Sequence, residues 1–69
     1  MFSLELLKKL RGESSTGSEF VEKLVDTLGI ENGVMAAWQY IKRRIPDAMS
    51  ESEQFCREVD EAITVILSE

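Results

Sequence analysis

Residues 20–46 of the chain, FVEKLVDTLGIENGVMAAWQYIKRRIP, decide its fold because they contain two amphipathic helical patterns with end signals. Apolar residues recur at intervals of three and four in both halves of this stretch, which is the spacing of one helix face. Gly29, between the halves, is typical of a residue that ends a helix. Asn32 is a suitable N-cap for the second helix, and Pro46 disfavours a helical conformation for the residue before it. The pattern predicts helices over residues 17–28 and 32–45.

Both flanks of this stretch predict one further helix each. Thr16 followed by Glu19, and Ser50 followed by Glu53, have the form of capping boxes, in which side chains satisfy free amides at a helix start. No segment shows the alternation of apolar and polar residues that a strand requires. The amphipathic spacing of the flanks predicts helices over residues 3–11 and 51–67. We therefore expect the all-α class, with one small four-helix domain over residues 1–69.

The apolar stripes of these helices predict a core and a dimer interface. The core is expected to centre on Leu24, Leu28, Trp38, Ile41, Val59 and Ile63. The apolar residues of the last helix span an arc of about 200°, which is wider than the stripe that faces a single core. This width predicts a symmetric homodimer through the last helix, because one small core cannot cover both edges of the arc. The expected interface residues are Cys56, Ile63, Val65 and Leu67.

Composition excludes several functional classes. The 69 residues are 43% hydrophobic and 30% charged, which is typical of a globular domain rather than a disordered segment. No apolar run approaches the roughly 20 residues of a membrane span, and residues 1–10 are too charged for a signal peptide. One cysteine and no histidine disfavour disulfide frameworks, the usual metal sites and catalytic triads. We expect a cytoplasmic, non-enzymatic domain without a metal, a cofactor or a membrane partner.

Acidic and basic residues are unevenly distributed along the chain. The net charge is −5, but residues 1–45 carry seven Lys and Arg against six Asp and Glu. Residues 46–69 carry one Arg against seven Asp and Glu. Because phosphates attract cationic surfaces, the acidic total argues against non-specific binding to nucleic acid. The nearly neutral charge of residues 1–45 weakens this argument against binding to nucleic acid.

The connection between the second and third predicted helices resembles the helix-turn-helix of the phage repressor and Cro-like family. The similar positions are a packed apolar pair, a leucine, a turn glycine, a branched apolar residue and two later apolar residues: Leu24, Val25, Leu28, Gly29, Ile30, Met35 and Trp38. This resemblance implies a small, dimeric, DNA-binding transcriptional regulator that inserts its third helix into the major groove. The residues that it implies as DNA contacts are Asn32, Gln39, Tyr40, Lys42, Arg43 and Arg44.

Other positions depart from that family and keep a second hypothesis open. The family usually has alanine where this chain has Val25. It prefers polar residues on the exposed face of the third helix, where this chain has Glu31, Gly33, Ala36 and Ala37. Alanine offers a base only a methyl group, and glutamate repels phosphate. The alternative function is an acidic helical protein–protein interaction module that inhibits or regulates a partner protein.

Overall fold

The structure is a computed structural model that describes residues 4–42 and 51–68. These residues form four α-helices: α1 (Leu4–Gly12), α2 (Gly17–Leu28), α3 (Ile30–Ile41) and α4 (Glu53–Ser68). No strand occurs within the two described segments, which confirms the predicted all-α class. α2 packs against the other three helices and therefore lies at the centre of the fold.

The start of α2 follows from a side-chain cap that the sequence predicts. The hydroxyl of Thr16, which precedes the helix in an extended conformation, accepts a hydrogen bond from the N–H of Glu19 at 3.1 Å. The carboxylate of Glu19 in turn accepts from the N–H of Ser15 at 3.0 Å, one residue before the position expected for a capping box. Two amides at the helix start are thus satisfied, and the predicted bounds of this helix are confirmed.

The start of α4 differs from the prediction in its capping residue. The hydroxyl of Ser52 accepts a hydrogen bond from the N–H of Phe55 at 3.1 Å, which is the geometry of a serine N-cap. The predicted capping residue, Ser50, lies outside the described residues. Because Ser52 caps the helix, α4 begins at Glu53, two residues later than expected.

A single glycine connects α2 to α3. Gly29 has φ +91° and ψ 164°, a combination that residues with a Cβ rarely adopt. Its N–H donates to the carbonyl of Val25, and its carbonyl accepts from the N–H of Gly33, each at 2.8 Å. A helix-turn-helix usually has a turn of three or four residues, so this connection is shorter than the resemblance implies.

The bounds of α3 differ from the predicted ones at both ends. The carbonyl of Gly29 begins the helical hydrogen bonds, so α3 starts at Ile30, and Asn32 lies in its first turn instead of capping it. At the other end, the N–H of Lys42 donates to the carbonyl of Trp38 at 2.9 Å, and the helix ends at Ile41. The prediction placed the last residue of this helix at position 45, and residues 43–45 lie outside the described residues.

Two glycines allow the helices to approach each other closely. A Cβ on Gly33 would lie 2.6 Å from the Cα of Val25, so α3 touches the backbone of α2 at this point. A Cβ on Gly17 would lie 2.5 Å from the carbonyl oxygen of Phe55 in α4. The N–H of Gly17 also donates to the carboxylate of Glu58 at 3.0 Å, which places a negative charge at the N-terminus of α2. Larger residues at either glycine would push α2 away from its neighbours.

Three aromatic rings form the centre of the core. The ring of Phe20 in α2 lies 5.0 Å from that of Tyr40 in α3 and 5.8 Å from that of Phe55 in α4, measured between centroids. The Tyr40 and Phe55 rings are 6.2 Å apart in an edge-to-face arrangement, which is favourable for aromatic pairs. The cluster therefore joins the three longest helices, α2, α3 and α4.

The predicted core is partly confirmed. Trp38 is 50% exposed, so its predicted place in the core is wrong. Tyr40 is 2% exposed and occupies the interior instead. The two residues lie about 160° apart around a helix, so α3 can bury only one of them in a small core. The other predicted core residues are either buried or packed at the edge of the core: Leu24, Val59 and Ile63 in the first group, Leu28 and Ile41 in the second.

Candidate functional site

α3 carries an exposed face opposite to its buried one. Its buried residues are Gly33, Val34, Ala36, Ala37 and Tyr40. At 100° per residue, four exposed residues fall within an arc of about 60° on the other side. We call these residues the outer face of α3: Glu31, Met35 and Trp38 in the helix, and Lys42, the residue that follows its last turn. This face consists of two large apolar side chains between an acid and a base.

The indole of Trp38 borders two open grooves. The first has a volume of about 620 Å³ and is lined by Met35, Trp38, Gln39 and Lys42. The second has a volume of about 380 Å³ and is lined by residues of α3 and α4: Trp38, Ile41, Lys42, Cys56, Arg57 and Asp60. The ammonium of Lys42 lies 5.3 Å from the centroid of the indole, a cation–π contact that holds the base beside the ring. α3 thus presents a large aromatic side chain with space on two sides.

The residues implied as DNA contacts do not all lie on one surface. Asn32 and Lys42 are exposed, and Gln39 is partly exposed. Tyr40 belongs to the core, and its hydroxyl donates to Glu51, so its expected position at a DNA surface is wrong. The remaining two candidates, Arg43 and Arg44, lie outside the described residues.

The predicted dimer interface is divided between the core and the surface. Ile63 is 5% exposed and packs in the core of its own chain, so its expected place in an interface is wrong. The reason is that α4 turns the inner part of its apolar arc, with Phe55, Val59 and Ile63, towards α2 and α3 and leaves the two edges outside. Cys56 is partly buried and lines the second groove. Val65 and Leu67 are exposed, as the width of the apolar arc predicts.

The sequence does not predict a polar cluster that lies on the buried side of α3. Glu51 accepts two hydrogen bonds from the guanidinium of Arg11, at 2.6 and 2.9 Å, and one from the hydroxyl of Tyr40 at 2.5 Å. The guanidinium also lies 4.0 Å from the ring centroid of Phe55 and donates to the carbonyl of Ser14 at 3.0 Å. Arg11 and Glu51 are 40 positions apart, so no local spacing rule could have predicted their contact.

The ion pair of this cluster shifts the pKa of both partners. The hydrogen bonds from Arg11 lower the pKa of Glu51 below its ordinary value, and the bond from Tyr40 adds to them, while burial opposes both. The hydrogen bond to Glu51 raises the pKa of Arg11 above its ordinary value. Both groups therefore remain charged at neutral pH. The cluster ties the end of α1 to α3 and to the residues before α4.

Residues 4–42 and 51–68 contain neither a group of side chains for a metal ion nor a helix for a membrane span. No group of three or more His, Cys, Asp or Glu residues in these segments could hold a metal ion. None of the helices found there has the length and apolar character needed to cross a bilayer.

Comparison with known proteins yields no relative. No protein-family model matches the chain, and no curated protein or solved structure shows significant similarity to it. The chain's own side chains must therefore indicate its function.

Proposed function

We propose that the chain is a non-enzymatic helical module that binds another protein through the outer face of α3. The position of Trp38 is the observation that carries this proposal. Half of this side chain is exposed, and it stands between two grooves with the exposed Met35 beside it. Tryptophan and methionine are enriched in protein interfaces, and tryptophan is among the residues that contribute most binding energy. An exposed pair of large apolar side chains on one helix face fits a partner protein.

The chemistry of this face suits a protein surface better than the major groove of DNA. Sequence-specific readers of DNA present donors and acceptors to base edges, and cations to phosphates. The centre of the outer face presents an indole and a thioether instead. The chain also has a net charge of −5, and α4 exposes Glu53, Asp60 and Glu61. These carboxylates repel the phosphate backbone.

A DNA-binding transcriptional regulator is the second candidate function. It is favoured by the exposed Asn32 and the partly exposed Gln39, because amide side chains can bridge adenine. Lys42 follows the last residue of α3, and Arg43 and Arg44 continue the basic run in the sequence. Under this hypothesis, these cations contact phosphates and give binding a strong dependence on salt.

The two candidates are tested with one set of variants. The purified chain, Trp38→Glu and the matched control Leu67→Glu are immobilised and exposed to a lysate of the source cells. Leu67 is also an exposed apolar residue, but it lies near the end of α4. Retention of a protein by the wild type and by Leu67→Glu, but not by Trp38→Glu, is the expected result. Equal retention by all three would contradict a site at Trp38.

A titration with mixed duplex DNA at two salt concentrations completes the comparison. We expect no binding that weakens with salt, because the outer face of α3 is neutral in sum and apolar at its centre. Binding whose affinity falls steeply with salt would favour the DNA-binding function instead. Asn32→Ala would then alter the preference between sequences, because an amide reads bases rather than phosphates.

A further inference from the structure

The outer face of α3 has an order of residues that is symmetric about its centre. Glu31 lies four residues before Met35, and Lys42 lies four residues after Trp38. The midpoint between Met35 and Trp38 is therefore also the midpoint between Glu31 and Lys42. Reversing the direction of the helix exchanges acid with base and one apolar side chain with the other. A face with this property is complementary to itself in the antiparallel orientation.

We propose that the partner bound by the outer face of α3 is a second copy of this chain, with the two α3 helices antiparallel about a two-fold axis. This inference rests on the protein-binding function proposed above and names its partner. In such a pair, Glu31 of each copy faces Lys42 of the other. Trp38 of each copy covers Met35 of the other. The distance from residue 31 to residue 42 along a helix is about 16 Å, so the two charge pairs flank the apolar centre.

The contacts within one copy prepare this arrangement. Lys42 is already held beside the indole of Trp38, at the end of the face where Glu31 of the second copy arrives. The groove of about 620 Å³ beside Met35 offers space for the indole of the second copy. A methionine sulfur against an aromatic ring is a favourable contact. Both apolar side chains are exposed in the single chain, so the pair removes them from water without opening the core.

Charge selects the antiparallel orientation over the parallel one. In a parallel pair, Glu31 would face Glu31 and Lys42 would face Lys42, which is unfavourable at both ends of the face. The exposed surface of four residues on each side is small, and interfaces of this size bind weakly. We therefore expect a dissociation constant on the order of 100 µM rather than nanomolar.

Single charge reversals give the first test of the pair. Glu31→Lys and Lys42→Glu each convert both attractive charge contacts of the dimer into repulsive ones. Each variant should therefore dimerise roughly tenfold more weakly than the wild type at low ionic strength. Sedimentation equilibrium measures this from about 10 µM to about 1 mM protein, a range that brackets the expected dissociation constant. The monomer mass is 7.8 kDa.

Combining these substitutions tests the orientation. The double variant Glu31→Lys/Lys42→Glu restores opposite charges across an antiparallel pair and should dimerise as well as the wild type. An equimolar mixture of the two single variants should form a heterodimer, because one copy then carries two bases on this face and the other two acids. A double variant as weak as either single variant would overturn the antiparallel arrangement.

Substitutions of Trp38 and of Leu67 distinguish this dimer from one formed through α4. Trp38→Ala should weaken dimerisation by at least about tenfold, because tryptophan is a frequent hot spot. Leu67→Glu should leave it unchanged. The opposite result, with Leu67→Glu monomeric and Trp38→Ala dimeric, would overturn the proposal in favour of a dimer through α4. Circular dichroism of each variant verifies that the monomer remains folded.

The fluorescence of the wild type gives a readout without substitution. The chain has one Trp, so its emission reports Trp38 alone. Dimerisation should shift this emission to shorter wavelength as the protein concentration rises, because the indole leaves water. The highest protein concentration in the sedimentation experiment is about 1 mM, well above the expected dissociation constant. A wild-type chain that still has a mass of 7.8 kDa at that concentration would overturn the homodimer. The lysate experiment would then decide separately whether the outer face binds a different protein.

Discussion

Tyr40 and Trp38 are both aromatic and lie two positions apart on α3, but their environments are opposite. Tyr40 is 2% exposed and packs against Phe20 and Phe55, whereas Trp38 is 50% exposed and borders two grooves. Trp38 is the larger of the two side chains, so size alone did not decide which one was buried. The face with Gly33 and two alanines lets the backbone of α3 approach α2, and Tyr40 belongs to that face. Close packing of the helix backbones thus outweighs burial of the larger ring.

The largest effect on the free energy of unfolding is expected from removal of the Tyr40 ring. Tyr40→Ala leaves a cavity beside Phe20 and Phe55 and removes a hydrogen bond to Glu51. We expect it to lower the free energy of unfolding by about 3–5 kcal/mol, as for other buried aromatic residues. Urea denaturation followed by circular dichroism measures the change. A loss under about 1 kcal/mol, the range of surface substitutions, would contradict burial of this side chain.

A steric clash at Gly33, on the buried face of α3, should have the next largest effect on the free energy of unfolding. Gly33→Ala places a Cβ 2.6 Å from the Cα of Val25, which the backbone of α2 cannot accommodate without moving. We expect a loss of about 2–3 kcal/mol in the free energy of unfolding. Gly12→Ala is the matched control, because a Cβ at that glycine meets no atom within 4 Å. Equal tolerance of both substitutions would show that α2 and α3 are not in close contact.

Glu51, which accepts the hydrogen bond from the Tyr40 hydroxyl, should contribute less to the free energy of unfolding, and its contribution should depend on pH. Glu51→Gln removes the charge that pairs with Arg11, and we expect a loss of about 2 kcal/mol at pH 7. The hydrogen bonds from Arg11 lower the pKa of Glu51 in the folded state, so its carboxylate stabilises the fold above its ordinary pKa of about 4.3. This stabilisation is lost as the pH falls below that value and through the lowered pKa.

Denaturation at several pH values measures this dependence. The free energies of unfolding of the wild type and of Glu51→Gln should differ most at neutral pH and converge below about pH 4. Glu61→Gln, at an exposed position of α4, is the control and should change the stability at pH 7 by less than about 0.5 kcal/mol. A difference between wild type and Glu51→Gln that grows towards acidic pH would contradict the ion pair.

The smallest effect on the folded monomer is expected from Trp38. Trp38→Ala removes a side chain that is already half exposed, so we expect a loss of at most about 1 kcal/mol at low protein concentration. Denaturation under the conditions used for Tyr40→Ala measures it. If Trp38→Ala cost as much as Tyr40→Ala, the two faces of α3 would not differ as described. At high concentration the loss should increase, because this substitution also removes the proposed dimer.

Much of the fold was predictable because it depends on local patterns. The cap at Thr16 and the apolar spacing after it predicted α2 with its observed bounds. The candidate site was harder to predict, because a large apolar residue in an amphipathic pattern is ordinarily assigned to the core. For that reason the pattern predicts Trp38 in the core. Gly33, Ala36 and Ala37 recur with Tyr40 at intervals of three and four, so they form a second possible buried face, and the spacing alone does not choose between the two faces.

The sequence by itself determined that the chain forms amphipathic helices separated by Gly29 and by a capped start at Thr16. These features depend on residues within one or two turns of each other, so the order of side chains along the chain specifies them. Only the tertiary structure decided which face of α3 is buried. That choice depends on how near α3 approaches α2 and on the contact of Arg11 with Glu51 across 40 positions. Both are contacts between residues of different helices, so they form only when the helices pack. For this reason the exposure of the Trp38 indole is decided by the folded structure.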